Sequence, residues 1–239
     1  MSLIEVKNLT KIYHDGEVET PALRGVSLDI EDGEFVAIMG PSGSGKSTLL
    51  HILGFLDKHT AGDYRFGGKA LADYTEEEVA RFRNEEMGFI FQTFNLLRRT
   101  NVLENVKLPL LYSGVKPQLW EEKAIAAIKT VGMDHRLNHE PSQLSGGEQQ
   151  RAAIARAIVN NPKVIFADEP TGNLDSKSGG QVMETIEKLH ENGNTIILIT
   201  HETYTAEYAQ RIIRLKDGLI ENDERVKQRR HPANHKFIK

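Results

Sequence analysis

Leu3-Ile4-Glu5-Val6 and Val26-Ser27-Leu28-Asp29-Ile30 alternate apolar and polar positions, the period-two pattern of strands with one wet face. Between them Asp15-Gly16 carries a hairpin-turn signal, which puts Tyr13 at a strand end. Phe35-Val36-Ala37-Ile38-Met39 is apolar without interruption, as in a strand buried on both faces of a parallel sheet. Leu49, Leu50, Ile52 and Leu53 continue as a helix ending near Gly54, and Gly88-Phe89-Ile90-Phe91 predicts a further strand. From about residue 93 to 160 the pattern turns helical. Trp120, Ala124, Ala127, Ile128 and Val131 share one face, and Ser145 opens a second helix that stops before Pro162. Strand patterns resume at Val164-Ile165-Phe166-Ala167, followed by a helix carrying Val182, Ile186 and Leu189 and closed by Gly193. Thr195-Ile196-Ile197-Leu198-Ile199-Thr200 and Arg211-Ile212-Ile213-Arg214-Leu215 come last. Strands alternating with helices predict an α/β protein with a parallel sheet, here with a helical insertion at about 93–160.

Composition narrows the classes. The 239 residues are 39% hydrophobic and 27% charged, ordinary for a globular protein with an ample core. The chain has no cysteine, which excludes disulfides, iron–sulfur clusters, thiolate zinc sites and a thiol nucleophile. The opening Met1-Ser2-Leu3-Ile4-Glu5-Val6-Lys7 lacks a basic-then-apolar leader, and no apolar run approaches the ~18 residues needed to span a bilayer. The expectation is a cytoplasmic protein whose membrane role comes through a partner. Net charge is −4, but residues 225–239 carry +6 and no carboxylate, leaving −10 on residues 1–224. An acidic body argues against nucleic acid as the main ligand. The basic tail has the composition to touch anionic lipid headgroups, and the simpler reading is a solvated terminus.

Candidate chemistry begins where the buried strand ends. Gly40-Pro41-Ser42-Gly43-Ser44-Gly45-Lys46-Ser47-Thr48 fits G-x-x-x-x-G-K-[ST], in the strand–loop–helix context that this pattern requires. In such a loop backbone N–H groups wrap phosphates, Lys46 supplies a point charge, Ser47 a metal-ligand hydroxyl and Thr48 a further phosphate hydrogen bond. A second glycine-softened helix start follows at Leu144-Ser145-Gly146-Gly147-Glu148. Ser145 and Glu148 have capping-box spacing, and the capped start aims N–H groups at an anion. One nucleotide does not need two such sites on one subunit. The pair points to ATP held between two copies of the chain.

Val164-Ile165-Phe166-Ala167-Asp168-Glu169 delivers two carboxylates to a strand's C-terminal end, where ligands bind in open α/β sheets. Beside a phosphate loop, Asp168 reads as a Mg²⁺ ligand, acting through water, and Glu169 as the base for the attacking water. Three lone residues stay open on spacing alone. Gln92 suits a sensor of γ-phosphate or Mg²⁺ or an ordinary surface glutamine, His201 a functional or an incidental strand-end histidine, and Tyr13 an adenine stack or packing. His135 and His139, and likewise His231 and His235, lie four apart as zinc ligands can, but without further ligands in a helix. Glu76-Glu77-Glu78, Arg81 and Arg83 read as a solvated helix face.

Taken together, these segments resemble the ATPase subunit of ABC (ATP-binding cassette) transporters over about residues 2–222. Tyr13 looks like the aromatic A-loop, Gln92 the Q-loop, Asn173-Leu174-Asp175 the D-loop and His201 the switch histidine. Leu144 to Glu148 is similar to the signature motif, with Glu148 where glutamine is commoner. Ile38 to Gly45, Phe91-Gln92-Thr93-Phe94-Asn95-Leu96-Leu97 and Glu104-Asn105-Val106-Lys107-Leu108-Pro109-Leu110 look most like the macrolide-exporter and lipoprotein-release branch.

The resemblance implies a RecA-like P-loop NTPase core, about 1–92 and 161–222, with an N-terminal antiparallel β part. It also implies a helical subdomain at about 93–160 and a basic tail at 225–239. Two subunits would close head-to-tail on Mg-ATP, each P-loop nucleotide covered by the other's Ser145, Gly146 and Gly147. Hydrolysis under Glu169 and His201 would then reopen the dimer. The groove near Gln92 would receive a membrane permease subunit, placing the chain at the cytoplasmic face of the membrane. An ATPase that transmits force to a membrane protein without moving solute shares every one of these residues. A DNA-repair or translation cassette is disfavoured for want of a coiled-coil insert or a second cassette, and a GTPase for want of Asn-Lys-x-Asp.

Overall fold

The computed structural model describes residues 2–16 and 18–231. In chain order the first elements are β1 (Ser2–Asp15), β2 (Val18–Glu31), β3 (Phe35–Met39), α1 (Lys46–Leu53), β4 (Ala61–Phe66) and β5 (Lys69–Ala70). Next come α2 (Glu76–Glu86), β6 (Met87–Ile90), α3 (Val102–Lys107), α4 (Trp120–Thr130), α5 (Gly146–Ile158) and β7 (Val164–Asp168). The last are α6 (Ser176–Glu191), β8 (Thr195–Thr200), α7 (Thr203–Ala206), β9 (Arg211–Lys216) and β10 (Leu219–Arg225). They fall into two compact units, one of residues 1–79 and 195–230, the other of residues 80–194 and 231–239.

The first unit has an antiparallel sheet in the order β2-β1-β4-β5. The alternation read from sequence sets its register: Ile4 faces Ile30 and Val6 faces Leu28, all four buried. Its second layer is built on β3, which pairs in parallel with β8 on one side and β9 on the other. Neighbours on both edges and cover on both faces explain the unbroken apolar run: Phe35 to Ile38 are fully buried and Met39 nearly so. β10 adds an antiparallel edge, so this layer is mixed rather than purely parallel. Of the basic residues after 224, Arg229 and Arg230 are docked rather than solvated. Arg229 donates to Tyr208 O at 2.8 Å, while Arg230 pairs with Glu207 and lies 4.2 Å from the Tyr204 ring centroid. Lys236 and Lys239 lie outside the described residues.

In the second unit β6 and β7 pair in parallel, Ile90 opposite Ala167, and Phe89 stacks on Phe166 with ring centroids 5.3 Å apart. Helices α3, α4 and α5 pack on one another, and α5 lies along β6. The predicted face of α4 is buried at Ala124, Ala127 and Ile128, with Val131 just beyond the helix. Asn105 on α3 is fully buried yet polar. Its Oδ1 accepts from Leu97 N at 2.7 Å, and its Nδ2 donates to Thr100 O at 2.9 Å and Asn101 O at 3.0 Å. One side chain thus satisfies a loop whose backbone has no ladder partner. Asn105→Ala is expected to destabilise the protein by about 2–4 kcal/mol, because several buried groups lose their partner at once. A urea melt that shifts by less than half of that would show that water takes over the role.

Candidate functional site

β3 feeds directly into the phosphate-type loop. Lys46 is only 8% exposed, and its Nζ folds back to donate to Pro41 O at 2.8 Å, an oxygen that also accepts from Ser44 N at 3.3 Å. The loop therefore curls around a single carbonyl. Gly45 precedes α1 with φ +99°, and a Cβ there would stand 2.5 Å from Ala22 O, so both conformation and space demand glycine. A Cβ on Gly40 would lie 2.1 Å from Leu215 O, so the loop starts hard against β9. The amides of Lys46, Ser47 and Thr48 are in the first turn of α1, where no carbonyl four residues back belongs to the helix. The Ser44 hydroxyl is buried without a hydrogen-bond partner. Ser47 is exposed.

Strand register brings His201 to the same end. Met39 pairs with Thr200, so Gly40 and His201 are the next residues along neighbouring parallel strands. Tyr13 is 40% exposed, and its hydroxyl donates to Asp57 Oδ2 at 2.8 Å. Burial raises its hydroxyl's pKa above the ordinary value, and the neighbouring Asp57 adds to the rise.

In the second unit the pairing of Ile90 with Ala167 sends Phe91-Gln92 and Asp168-Glu169 out of one sheet end together. Glu169 takes a left-handed conformation, φ +45°, uncommon for a residue with a Cβ. Gln92 is held against the D-loop segment: its O accepts from Asn173 Nδ2 at 3.0 Å. Its amide also lies so close to Gly172 that a Cβ there would be 2.6 Å from Gln92 Nε2. Two residues of α5 that sequence reasoning passed over complete this arrangement. Gln150, fully buried, donates to Pro170 O at 2.7 Å and Phe91 O at 3.3 Å, tying the peptide before Gln92 to the one after Pro170. Arg156 donates to Phe94 O at 2.9 Å and Asn95 O at 2.6 Å, clamping two consecutive residues with positive φ. Burial lowers the Arg156 pKa. The only sequence signal for either was a polar side chain on the buried face of an otherwise Ala/Ile-rich helix.

The capping box at the start of α5 is complete. Glu148 N donates to Ser145 Oγ at 3.3 Å and Ser145 N donates to Glu148 Oε2 at 2.8 Å. The Ser145 N–H is the main reason the Glu148 carboxyl lies below the ordinary range; burial opposes it, and Arg136, 2.9 Å from Oε1, assists. Leu144 is buried beneath the turn. Gly146 and Gly147 bring the helix start against the next one: a Cβ on Gly146 would sit 3.3 Å from Leu174, and one on Gly147 2.9 Å from Ser178. Asp175 caps α6 by accepting from Lys177 N and Ser178 N, both at 3.0 Å. The second unit therefore joins Gln92, the Asn173-Leu174-Asp175 segment and the Leu144–Glu148 helix start by direct contact. Among the described residues no group of three or more His, Cys, Asp or Glu could hold a metal by itself. His139 instead contacts Arg136 at 3.1 Å, and His235 lies outside the described residues.

The family model described as ABC transporter matches residues 23–172, more than half of the chain. The macrolide export ATP-binding/permease protein MacB of Bdellovibrio bacteriovorus is 51% identical over 224 residues, 94% of this chain but 34% of that protein. The chain thus spans about a third of the MacB-named relatives. An ABC transporter ATP-binding protein of Methanocaldococcus jannaschii is 53% identical over 218 residues, covering 91% of this chain and 97% of its own length. Among solved structures, the ATP-binding cassette MJ0796, a dimer in a post-hydrolysis state bound to ADP and Pi, superimposes with a TM-score of 0.85. It has 44% identity, and the match covers 94% of this chain and 99% of that one. Similarity of this extent in sequence and fold, over a chain that carries the phosphate-type loop and the capped Ser-Gly-Gly helix start, places it in the ABC transporter family.

Proposed function

We propose that this chain binds and hydrolyses ATP as the nucleotide-binding subunit of an ABC transporter, two copies closing head-to-tail around the nucleotide. The loop after β3 carries the reading, with Lys46 buried in a curl of amides and the Ser44 hydroxyl unpartnered within it. A triphosphate offers the hydroxyl an acceptor it lacks and the ammonium stronger acceptors than the Pro41 carbonyl. The Ser145 hydroxyl accepts from Glu148 N through a lone pair, which leaves its proton to donate to a γ-phosphate presented by the other copy. Gly146 and Gly147 add first-turn amides. Glu169 orients and deprotonates the attacking water, His201 contacts the γ-phosphate, Gln92 reports its presence, and Asn173-Leu174-Asp175 faces the other copy. Tyr13 stacks on adenine, and Gly40, Pro41, Ser42, Gly43, Gly45 and Thr48 complete the phosphate cradle.

Ser47 Oγ, the Gln92 amide oxygen and Asp168, the last through water, are the hard oxygen donors that Mg²⁺ prefers and would hold it together with nucleotide phosphates. The ion would neutralise charge between the β- and γ-phosphates.

No helix among the described residues is long and apolar enough to cross a membrane. We read the partner as a membrane permease at the cytoplasmic face, of the macrolide-export type that the MacB-named relatives suggest or of the lipoprotein-release type that the sequence also resembles.

Two inactive variants test the shared site. Ser145→Arg fills the signature turn, and Lys46→Ala empties the phosphate loop. Neither hydrolyses ATP alone. In an equimolar mixture half of the dimers are mixed and hold one intact site, so activity returns to about a quarter of wild type. A mixture as inactive as its components would mean that each copy works with its own residues only.

A further inference from the structure

We infer that Lys11 and Asp57 hold the Tyr13 ring as a fixed platform for the nucleotide base, and so are positioning residues for ATP binding. The inference rests on the reading of Tyr13 as the base-stacking aromatic. Lys11 and Tyr13 are two apart on β1, hence on one face of the strand, while Asp57 lies in the segment after α1. Asp57 Oδ2 accepts from the Tyr13 hydroxyl at 2.8 Å, and Oδ1 accepts from Lys11 Nζ and Lys58 N, both at 2.7 Å. Lys11 Nζ also donates to Lys58 O at 2.7 Å and stands 4.6 Å from the Tyr13 ring centroid. The ammonium thus covers one ring face and the carboxylate fixes the ring's tip.

A half-exposed tyrosine at a strand end ordinarily loses side-chain freedom when a base lands on it. Here that freedom is already restricted at two points, the hydroxyl held by Asp57 and the ring face covered by Lys11. The pair gives the fold itself little, because a partly exposed ion pair contributes little to stability. Lys11 is nevertheless drawn in until its side chain is 12% exposed. Base stacking gives that ordering a purpose.

Calorimetric titrations of wild type, Lys11→Met, Asp57→Asn and Tyr13→Ala with ATP, and separately with inorganic tripolyphosphate, test the assignment. Tyr13→Ala is expected to weaken ATP binding about ten- to a hundredfold, the span of a lost base–aromatic stack. Lys11→Met and Asp57→Asn should weaken it about three- to tenfold, seen in KM rather than kcat, because the ring remains but is no longer held. Tripolyphosphate, which has no base, should bind all four proteins alike. Tyr13→Phe, which removes only the hydroxyl link, should fall between wild type and Asp57→Asn and serves if either charged variant fails to fold. Unchanged ATP affinity in Lys11→Met and Asp57→Asn beside a weakened Tyr13→Ala would overturn the positioning role alone. An unaffected Tyr13→Ala would overturn the stacking reading and this inference with it. Parallel loss of tripolyphosphate affinity would overturn the inference by assigning the pair to the integrity of the phosphate loop.

Discussion

Lys46→Ala is expected to weaken ATP binding by about 10²–10³-fold, roughly 3–4 kcal/mol, the cost of losing one partner of a desolvated charge contact. The argument starts from where the ammonium sits. It is nearly buried, and it donates to the Pro41 carbonyl of its own loop at 2.8 Å. A neutral carbonyl is a modest partner for a full charge, whereas the β- and γ-phosphate oxygens are strong ones. Nucleotide therefore gains the difference, and alanine forfeits it. The fold loses far less, since the bond to Pro41 contributes on the order of 1–2 kcal/mol. A thermal melt should thus move little while an ATP titration moves greatly. Unchanged nucleotide affinity would remove Lys46 from the site, and a collapsed melt would recast it as a structural residue.

Much of this arrangement is legible in the sequence because it is local. The strand from Phe35 to Met39, the glycine loop and the helix that follows are continuous in the chain, and the Ser145–Glu148 box spans one helical turn. The pattern of hydrophobic positions placed β1 and β2 by alternation, and β3, β6, β7, β8 and β9 by short apolar segments. It failed for β4, where only Tyr64 and Phe66 are buried, and for β10, where no residue is buried. β10 is an edge strand, which needs no apolar face, whereas β4 lies inside its sheet but alternates only over Asp63-Tyr64-Arg65-Phe66, too short a run to stand out. The supporting residues were hidden for a different reason. Lys11 and Asp57 are 46 positions apart, Gln150 and Phe91 are 59, and Arg156 and Asn95 are 61. Each is a charged or amide side chain whose partner is revealed only when distant segments meet. Spacing, and for Tyr13, Gln92 and His201 the family resemblance, identified residues proposed to touch ATP, and tertiary structure identified side chains that hold their segments in place.

The same distinction bears on Glu169. Its positive φ is a conformation that costs about 1–3 kcal/mol for a residue with a Cβ and persists only where surroundings enforce it. The enforcing contacts are visible: Gln150 holds Pro170 O, and Gly172 N donates back to Glu169 O at 3.0 Å. Such a backbone fixes where the carboxylate starts, which a base acting on a single water requires. Glu169→Gln keeps the size of the side chain and its hydrogen-bonding reach but cannot take a proton. It is expected to lower turnover by about 10²–10⁴-fold, the usual share of a positioned base. Nucleotide binding should survive, because the phosphate loop is untouched. With binding intact and hydrolysis stalled, the two copies should remain closed on ATP, and gel filtration with Mg-ATP should show a dimer that the wild type does not accumulate. Substitution of Gln150 by Met offers an internal comparison: the base remains but its backbone is released, so turnover should fall by less. If Glu169→Gln hydrolyses ATP at the wild-type rate and elutes only as a monomer, the proton acceptor must be sought elsewhere at the end of β7.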